Sequence, residues 1–167
     1  MNDQFIQGVI FDWDKIDKDS YLKGIRAFKG VEKLDFNKPI TFFVGGNGSG
    51  KSTLLEALAV AHGESFLALA QNNMNPNGLY LFDEPEAALS PQRQLTLLMQ
   101  IYRCAKEGAQ FIIVTHSPIL LGIPDADIYC FDNGRIHLCE YEDTESYQVT
   151  EMFINNRQML LDRLLTD

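Results

Sequence analysis

Residues 45–52 constrain the fold of this chain more than any other segment does. They read Gly-Gly-Asn-Gly-Ser-Gly-Lys-Ser and fit the pattern G-x-x-x-x-G-K-[ST] at every position. An apolar run rich in β-branched and aromatic residues, Ile40 to Val44, precedes them and is typical of a strand buried on both faces. A stretch of helical periodicity follows from Lys51 to about Ala61. Because a phosphate-binding loop lies between a strand and a helix, this context predicts one here.

The residue types of this loop suit a polyphosphate bound together with a magnesium ion. Glycines let successive backbone N–H groups turn toward an anion, and the N-terminus of the following helix adds a partial positive charge. Lys51 can neutralise β- and γ-phosphate oxygens, Ser52 can offer its hydroxyl to Mg²⁺, and Thr53 can contact the α-phosphate. The predicted nucleotide-binding residues are Gly45, Gly46, Asn47, Gly48, Ser49, Gly50, Lys51, Ser52 and Thr53.

Two further predicted strands end in polar residues. The apolar run Leu79 to Phe82 continues into Asp83 and Glu84, and the run Phe111 to Val114 is followed closely by His116. Since the carboxyl ends of parallel strands meet at one edge of a sheet, we expect these three side chains beside the loop. Asp83 suits Mg²⁺ coordination, Glu84 can orient or deprotonate an attacking water, and His116 can contact the γ-phosphate or that water.

Strand-like and helical segments alternate along the chain, which predicts an α/β domain with a mostly parallel sheet. Phe5 to Trp13 and Phe28 to Phe36 are predicted as N-terminal strands, and two helical pieces are expected at the C-terminus. The turn sequence Asp-Asn-Gly at residues 132–134 predicts a closing hairpin. Its length predicts that the chain, residues 1–167, forms one domain.

The segment from Pro91 to Lys106 has the pattern of an amphipathic helix that ends before Gly108. Its predicted apolar face comprises Leu95, Leu98, Met99, Ile101 and Tyr102. We expect this face to pack against the sheet, because an amphipathic helix buries its apolar stripe against a neighbouring layer.

Composition limits the classes of function. The net charge of −9, from 14 Lys and Arg against 23 Asp and Glu, makes a free-standing nucleic-acid binder a poor fit, because phosphate contacts need a basic face. A nucleic-acid partner is therefore possible but unsupported by charge. The apolar runs fall short of the roughly 18 residues of a membrane span, and residues 1–4 lack the basic start of a signal peptide. A cytoplasmic location is expected.

The three cysteines carry no predicted chemistry. Cys104, Cys130 and Cys139 are widely spaced, and no C-x-x-C pattern occurs. The sequence therefore predicts neither a zinc knuckle nor a redox pair, and we expect all three to be small buried apolar residues.

Three motifs together resemble the ABC-type ATPases, a branch of the P-loop NTPases. They are G-G-N-G-S-G-K-S-T, L-F-D-E-P-E-A-A-L-S and I-I-V-T-H-S-P. The resemblance is to soluble, non-transporter ATPases that are grouped with SMC- and RecF-like heads and often labelled AAA-family, in particular to small bacterial predicted ATPases. It covers the chain from about Leu34 to the C-terminal helices. It implies a P-loop NTPase core with helices around a mostly parallel sheet and an N-terminal antiparallel β part.

The resemblance also implies a role for each matching residue. Residues 45–53 would form Walker A, Asp83 would be the Walker B aspartate, Glu84 the catalytic glutamate and His116 the switch histidine. Residues 86–90 would be the D-loop at a dimer interface. A variant signature motif would comprise His62, Gly63, Glu64 and Ser65. In this family the signature caps the γ-phosphate bound by a partner subunit, so two ATP molecules would lie within a head-to-tail homodimer; the alternative for these four residues is an ordinary helix start.

The chain departs from the ABC-type pattern at one junction. Members of that family carry a lobe with a γ-phosphate-sensing glutamine between the Walker A helix and the signature. Here Ala61 runs directly into His62, so the segment is either deleted or missing from the sequence, and Gln71 follows the signature-like residues. The helical lobe is therefore expected to be absent or truncated. Candidates for stacking on the adenine base are Tyr21, Arg26 and Phe28.

Mg²⁺-dependent binding and hydrolysis of ATP, with ADP as the product, is the function that these motifs favour. One alternative is an ATP-binding switch module with little turnover, which the absent lobe would suit. Another is the ATP-binding subunit of an ABC transporter, although the lobe that would couple to a membrane partner is missing. An unidentified protein partner is compatible with each of these three functions.

Overall fold

The computed structural model describes residues 4–17, 19–62 and 74–165, except for the side chain of His62. The strands are β1 (Gly8–Ile10), β2 (Lys33–Asp35), β3 (Ile40–Gly45), β4 (Leu79–Asp83), β5 (Gln110–Val114), β6 (Ala126–Asp132) and β7 (Arg135–Leu138). The α-helices are α1 (Lys51–His62), α2 (Pro91–Lys106), α3 (Pro118–Leu121) and α4 (Glu145–Leu165). Single 3₁₀ turns span Tyr21–Gly24, Arg26–Phe28, Pro85–Ala88 and Tyr141–Asp143.

The main sheet has five strands in the order β4-β5-β3-β6-β7. The first four run parallel to one another, and β7 is antiparallel to β6. Strands β1 and β2 form a separate antiparallel pair. The predicted mixed α/β architecture, with a mostly parallel sheet and an N-terminal antiparallel part, is confirmed and is consistent with a P-loop-like fold.

The two N-terminal strands are much shorter than predicted. Only Gly8–Ile10 and Lys33–Asp35 pair with each other. The second predicted strand instead begins at the last residue of a 3₁₀ turn, Arg26–Phe28, and continues into a turn at Gly30, whose φ of +76° is left-handed. That conformation breaks a strand, and glycine adopts it without a steric penalty.

Apolar side chains fill the layers on both faces of the sheet. Strands β3 and β5 are buried along almost their whole length, as the continuous apolar runs predict. Because side chains alternate along a strand, Phe42 and Ile113 pack on the side of α2 and α3, whereas Phe43 and Ile112 pack on the side of α1. The sheet is therefore held between two helical layers.

The position of α2 is as predicted, but its buried face is only partly so. Ile101 is buried as expected, and Leu98 and Tyr102 are partly buried against the core. Leu95 and Met99 were expected to face the core, and they are 46% and 50% exposed. The buried residues of α2 are Leu97, Ile101, Cys104 and Ala105. These four are spaced at i, i+4, i+7 and i+8, so they form an equally regular stripe that is rotated around the helix axis.

The C-terminal region confirms one prediction and corrects another. Asn133 and Gly134 have φ values of +47° and +72°, which the turn of the predicted β6–β7 hairpin requires. Cys130 and Cys139, expected as free apolar residues, are joined by a disulfide, and Cys104 is free and buried. The hairpin brings the two sulfurs together, a proximity that sequence spacing alone does not reveal.

Helix α4 combines the two C-terminal helical pieces. They are continuous except at Asn156, whose φ of −131° is not helical. No helix within residues 4–17, 19–62 and 74–165 is long and apolar enough to cross a lipid bilayer.

The end of β3 lies against β6 with no space for a side chain. A Cβ atom on Gly45 would lie 2.4 Å from the carbonyl oxygen of Phe131, and the φ of Gly45 is +138°. Replacing this glycine therefore adds both a steric overlap and a strained backbone conformation.

We expect Gly45→Ala to lower the free energy of unfolding by about 1–3 kcal/mol. The matched control is Gly46→Ala, because no atom lies within 4 Å of the Cβ position of Gly46 and its φ is not left-handed. That control should change stability by no more than about 0.5 kcal/mol. Urea unfolding measures both values, and equal effects of the two substitutions would contradict the close approach.

Candidate functional site

The polar residues that follow three parallel strands, β3, β4 and β5, lie at one edge of the sheet. The backbone N–H of Glu84 donates to the carbonyl of Val114 at 2.9 Å, and the N–H of Thr115 donates to the carbonyl of Phe43 at 3.4 Å. These hydrogen bonds continue the pairing of the strands past their ends. The glycine loop after β3, Asp83 and Glu84 after β4, and the residues after β5 are thus held side by side.

The glycine loop leads directly into α1. Gly48 and Gly50 have φ values of +75° and +104°, and the N–H of Leu54 donates to the carbonyl of Gly50 at 3.0 Å. A Cβ on Gly50 would lie 2.7 Å from a methyl carbon of Ile25, so the loop also packs closely on the N-terminal segment. Glycine at these positions lets the loop curl without steric overlap.

The Lys51 side chain turns back into the loop. Its Nζ donates to the carbonyl oxygens of Gly45 at 2.7 Å and Gly46 at 2.9 Å, and the residue is only 5% exposed. Burial lowers the pKa of the Lys51 ammonium, while the nearby carboxylates of Glu84 and Asp83 act in the opposite direction. The site thus contains one buried cationic group beside two acidic ones.

Ser52, in the first turn of α1, and Asp83, at the end of β4, are in contact. The Ser52 hydroxyl donates to Asp83 Oδ1 at 3.3 Å. A hydroxyl and a carboxylate oxygen are hard ligands that suit Mg²⁺. The donor set therefore fits the magnesium ion that the sequence predicts for these two residues.

Glu84 and His116 lie next to each other on the wall of an open cavity. Their closest polar atoms, Glu84 Oε1 and His116 Nε2, are 3.6 Å apart, and both side chains are about half exposed. The cavity has a volume of about 920 Å³, and Gly46 and Asn47 of the glycine loop also line it. A carboxylate and an imidazole at this position can both contact a group that extends from the loop into the cavity.

Glu84 has a backbone conformation that the sequence does not reveal. Its φ and ψ are +46° and +54°, in the left-handed region, although Pro85 follows it. A residue before proline is normally extended, and a left-handed non-glycine residue costs of the order of 1–3 kcal/mol. This conformation turns the Glu84 side chain away from the direction that a continued strand would give it.

A second glutamate holds the backbone of His116. Glu86 Oε1 accepts a hydrogen bond of 2.7 Å from the His116 N–H. The other carboxylate oxygen of Glu86 is buried and has no hydrogen-bond partner within the described part of the chain. Sequence reasoning assigned Glu86 only to a dimer-interface loop and missed this contact, which depends on the two strand ends being adjacent.

Thr53 lies beside a separate apolar hollow of about 290 Å³. Its walls include Phe11 and Trp13, whose rings stack with centroids 5.6 Å apart, and the buried ring of Phe28. Of the predicted base-stacking candidates, Phe28 lines this hollow, whereas Tyr21 is 68% exposed and is not among its walls. Phe11 and Trp13 were missed, because the tight turn closed by the hydrogen bond from the Trp13 N–H to the Phe11 carbonyl, at 3.1 Å, lies beyond the end of β1.

The predicted signature-like motif falls almost entirely outside the described residues. Helix α1 runs through the 61/62 junction and ends at His62. The side chain of His62 and the residues Gly63, Glu64, Ser65 and Gln71 lie outside the description. Their roles, like the nucleotide-binding and catalytic roles of the other site residues, stay predictions.

Comparison with known families places part of the chain in a described family. A family model described as an AAA domain matches residues 21–111, which is more than half of the chain. The matched range includes the glycine loop, α1, and Asp83 and Glu84, and it ends at the start of β5. Comparison with curated proteins finds no match. The family match indicates a nucleotide-binding ATPase in general terms.

We expect Glu86→Ala to lower the free energy of unfolding by about 1–3 kcal/mol, because it removes a hydrogen bond between a carboxylate and the His116 N–H. Glu86→Gln keeps an acceptor oxygen and should cost less. Urea unfolding measures stability, and hydrogen exchange of the His116 amide reports the bond itself. The control is Glu56→Ala on the exposed side of α1. Wild-type protection of the His116 amide in Glu86→Ala would contradict this contact.

Proposed function

Since the chain belongs to the AAA-domain family, we propose that it binds ATP with Mg²⁺ and hydrolyses it as an ABC-type, non-transporter ATPase. The observation that supports this best is the convergence of Lys51, the Ser52–Asp83 pair and the Glu84–His116 pair at one sheet edge. Phosphate binding, metal coordination and water activation each require one of these three groups.

The glycine loop and Lys51 would hold the polyphosphate. Lys51 Nζ at present donates to two backbone carbonyls of the loop, so its ammonium already points into the loop. On binding, it would exchange these carbonyls for β- and γ-phosphate oxygens. The exposed backbone of Gly46, Asn47 and Gly48 would supply N–H donors at the N-terminal end of α1.

Ser52 and Asp83 would hold the magnesium ion. When bound, Mg²⁺ offsets the charge of the phosphate oxygens. The existing hydrogen bond between the Ser52 hydroxyl and Asp83 keeps both oxygen donors within reach of one ion, Asp83 through a bridging water. Neither side chain needs a large movement for this role.

Glu84 and His116 would act on the attacking water. The Glu84 carboxylate can accept a proton from a water in the cavity, and His116 can donate a hydrogen bond to that water or to the γ-phosphate. Their 3.6 Å separation allows one small molecule to contact both groups. The hydrogen bond from the His116 N–H to Glu86 would keep the imidazole on the correct side of the cavity.

The aromatic hollow beside Thr53 would take the adenine base. It lies next to the first turn of α1, where the α-phosphate would be, and apolar side chains of Phe11, Trp13 and Phe28 contribute to its walls. A flat purine ring suits such walls, because it can stack on the face of an aromatic ring. Lys15 at the rim could contact a polar edge of the base.

The alternative is a switch module that binds ATP but hydrolyses very little of it. The specific feature that favours it is the short distance in sequence between α1 and β4, which leaves little chain for the lobe that completes an ABC-type site. Mg²⁺-dependent phosphate release by the wild-type protein distinguishes the two functions. Tight ATP binding without phosphate release would favour the switch.

We expect Lys51→Ala to abolish ATP binding, because the buried ammonium in the loop is lost. Glu84→Gln should retain ATP binding and lower Mg²⁺-dependent phosphate release by at least about 100-fold, since the amide cannot accept the proton. The control is Glu107→Gln at the exposed end of α2, which should behave as the wild type. Titration calorimetry measures binding, and a phosphate assay measures turnover. Wild-type turnover in Glu84→Gln would refute the role of Glu84.

We expect Glu84→Gln with ATP and Mg²⁺ to form a stable homodimer, because ATP that cannot be hydrolysed would keep two subunits together. Sedimentation velocity should show a monomer without nucleotide and a dimer with it. Lys51→Ala should stay monomeric under both conditions. An unchanged sedimentation coefficient in Glu84→Gln with saturating ATP would count against the ATP-sandwiched dimer while leaving the hydrolysis proposal intact.

A further inference from the structure

The β6–β7 hairpin collects four metal-binding side chains on one of its faces. Cys130 lies directly opposite His137 in the antiparallel register, so both side chains are on the same face. Asp132 is two residues after Cys130, and Cys139 is two residues after His137. Side chains two apart in a strand share a face, and the Cys139 N–H extends the ladder by donating to Ile128 at 3.0 Å.

The donor atoms of this face are close enough to share an ion. One donor atom from each of Cys130, Asp132 and His137 lies within 4.8 Å of the others. His137 Nδ1 and Asp132 Oδ1 are 3.7 Å apart. Zinc bonds of about 2.0–2.3 Å place tetrahedral ligands roughly 3.5 Å from each other, so small side-chain rotations would complete the geometry. The sulfur of Cys139 is bonded to that of Cys130, which belongs to this group of three donors. After reduction, rotation of the freed Cys139 side chain would bring its sulfur to the same ion.

We propose that this hairpin binds one Zn²⁺ ion when the Cys130–Cys139 disulfide is reduced. Cys130, Cys139 and His137 supply two thiolates and one imidazole, and Asp132 supplies the fourth ligand. The disulfide and the metal exclude each other, because a sulfur in a disulfide has no thiolate to coordinate zinc. The hairpin thus exists either as a disulfide-linked, metal-free form or as a reduced, metal-bound form.

A thiol reductant supplies the electrons and protons that convert the disulfide-linked form into the reduced form. A reductant thiolate attacks one sulfur of the disulfide and forms a mixed disulfide, and a second reductant thiol releases it. Two electrons and two protons convert the disulfide into two cysteine thiols, and the reductant leaves as its own disulfide. Each thiol then loses its proton when it binds Zn²⁺. Reoxidation by a disulfide oxidant releases the ion.

The chemistry of the ligands favours zinc over magnesium. Thiolate and imidazole ligands suit Zn²⁺, whereas Mg²⁺ takes oxygen ligands such as those of Ser52 and Asp83. The side chains of Asp132 and His137 are 49% and 50% exposed, which leaves a path for the ion to enter. Asp143 and Glu145 line the cavity that the hairpin borders and add negative charge around it. The proposal does not depend on ATP hydrolysis.

Cobalt titration of the full chain tests the site, since Co²⁺ replaces Zn²⁺ and reports its ligands by absorption. Protein reduced with a phosphine, under argon, should bind one Co²⁺ per chain with a sulfur-to-cobalt charge-transfer band. Zn²⁺ should displace the cobalt, and oxidised protein should give no such band. Cobalt bound by reduced protein without this band would overturn the proposal, because an ion at Ser52 and Asp83 has only oxygen ligands.

Substitutions identify which residues hold the ion. Cys139→Ser and His137→Ala should each weaken cobalt binding by at least about 10-fold. Because the His137 side chain is half exposed, its replacement should leave the fold intact, which circular dichroism checks. Cys104→Ala removes the remaining, buried thiol and should leave the band unchanged. A band that survives His137→Ala at full affinity, or disappears in Cys104→Ala, would overturn the assignment.

Discussion

The parallel pairing of β3 with β5 on one side and β6 on the other is the constraint on which the rest of the structure depends. Phe42 lies opposite Ile113 in one neighbour and Ile128 in the other, and all three side chains are buried. Because β3 is hydrogen-bonded to a parallel strand along both of its edges, its carboxyl end must emerge between the ends of those neighbours. The glycine loop and the polar strand ends share an edge for this reason.

Charge at that edge is strongly unbalanced. Lys51 is a single buried ammonium, and the carboxylates of Asp83 and Glu84 act on it while other acidic groups line the same cavity. A polyphosphate entering such a site would be repelled by these carboxylates. In the proposed function the backbone N–H groups, Lys51 and a divalent cation together offset this repulsion. Because the whole chain is acidic, binding of a polyphosphate would depend on the local arrangement of the loop.

Local patterns in the sequence predicted the strands of the main sheet, the loop and the residues at the strand ends, but not the lengths of the two N-terminal strands. Asp83 and His116 could be anticipated because each follows an apolar run, and parallel strands end at one edge. The buried face of α2 could not be anticipated in full, because Leu95 and Leu97 belong to two overlapping apolar stripes of the helix. Only packing against the sheet decides which stripe is buried. The left-handed backbone of Glu84 depends on tertiary contacts, and so does the pairing of Cys130 with Cys139.

The strand order also has a consequence for how the chain folds. Each neighbour of β3 in the sheet lies far from it in sequence, and between them β5 and β6 provide all of its ladder contacts. Loop-closure entropy must be overcome before such pairings form, so topology of this kind slows folding. During synthesis, the glycine loop would emerge from the ribosome long before β6 does. Its backbone could then take up its final shape only late, when the strand that packs against Gly45 has been made.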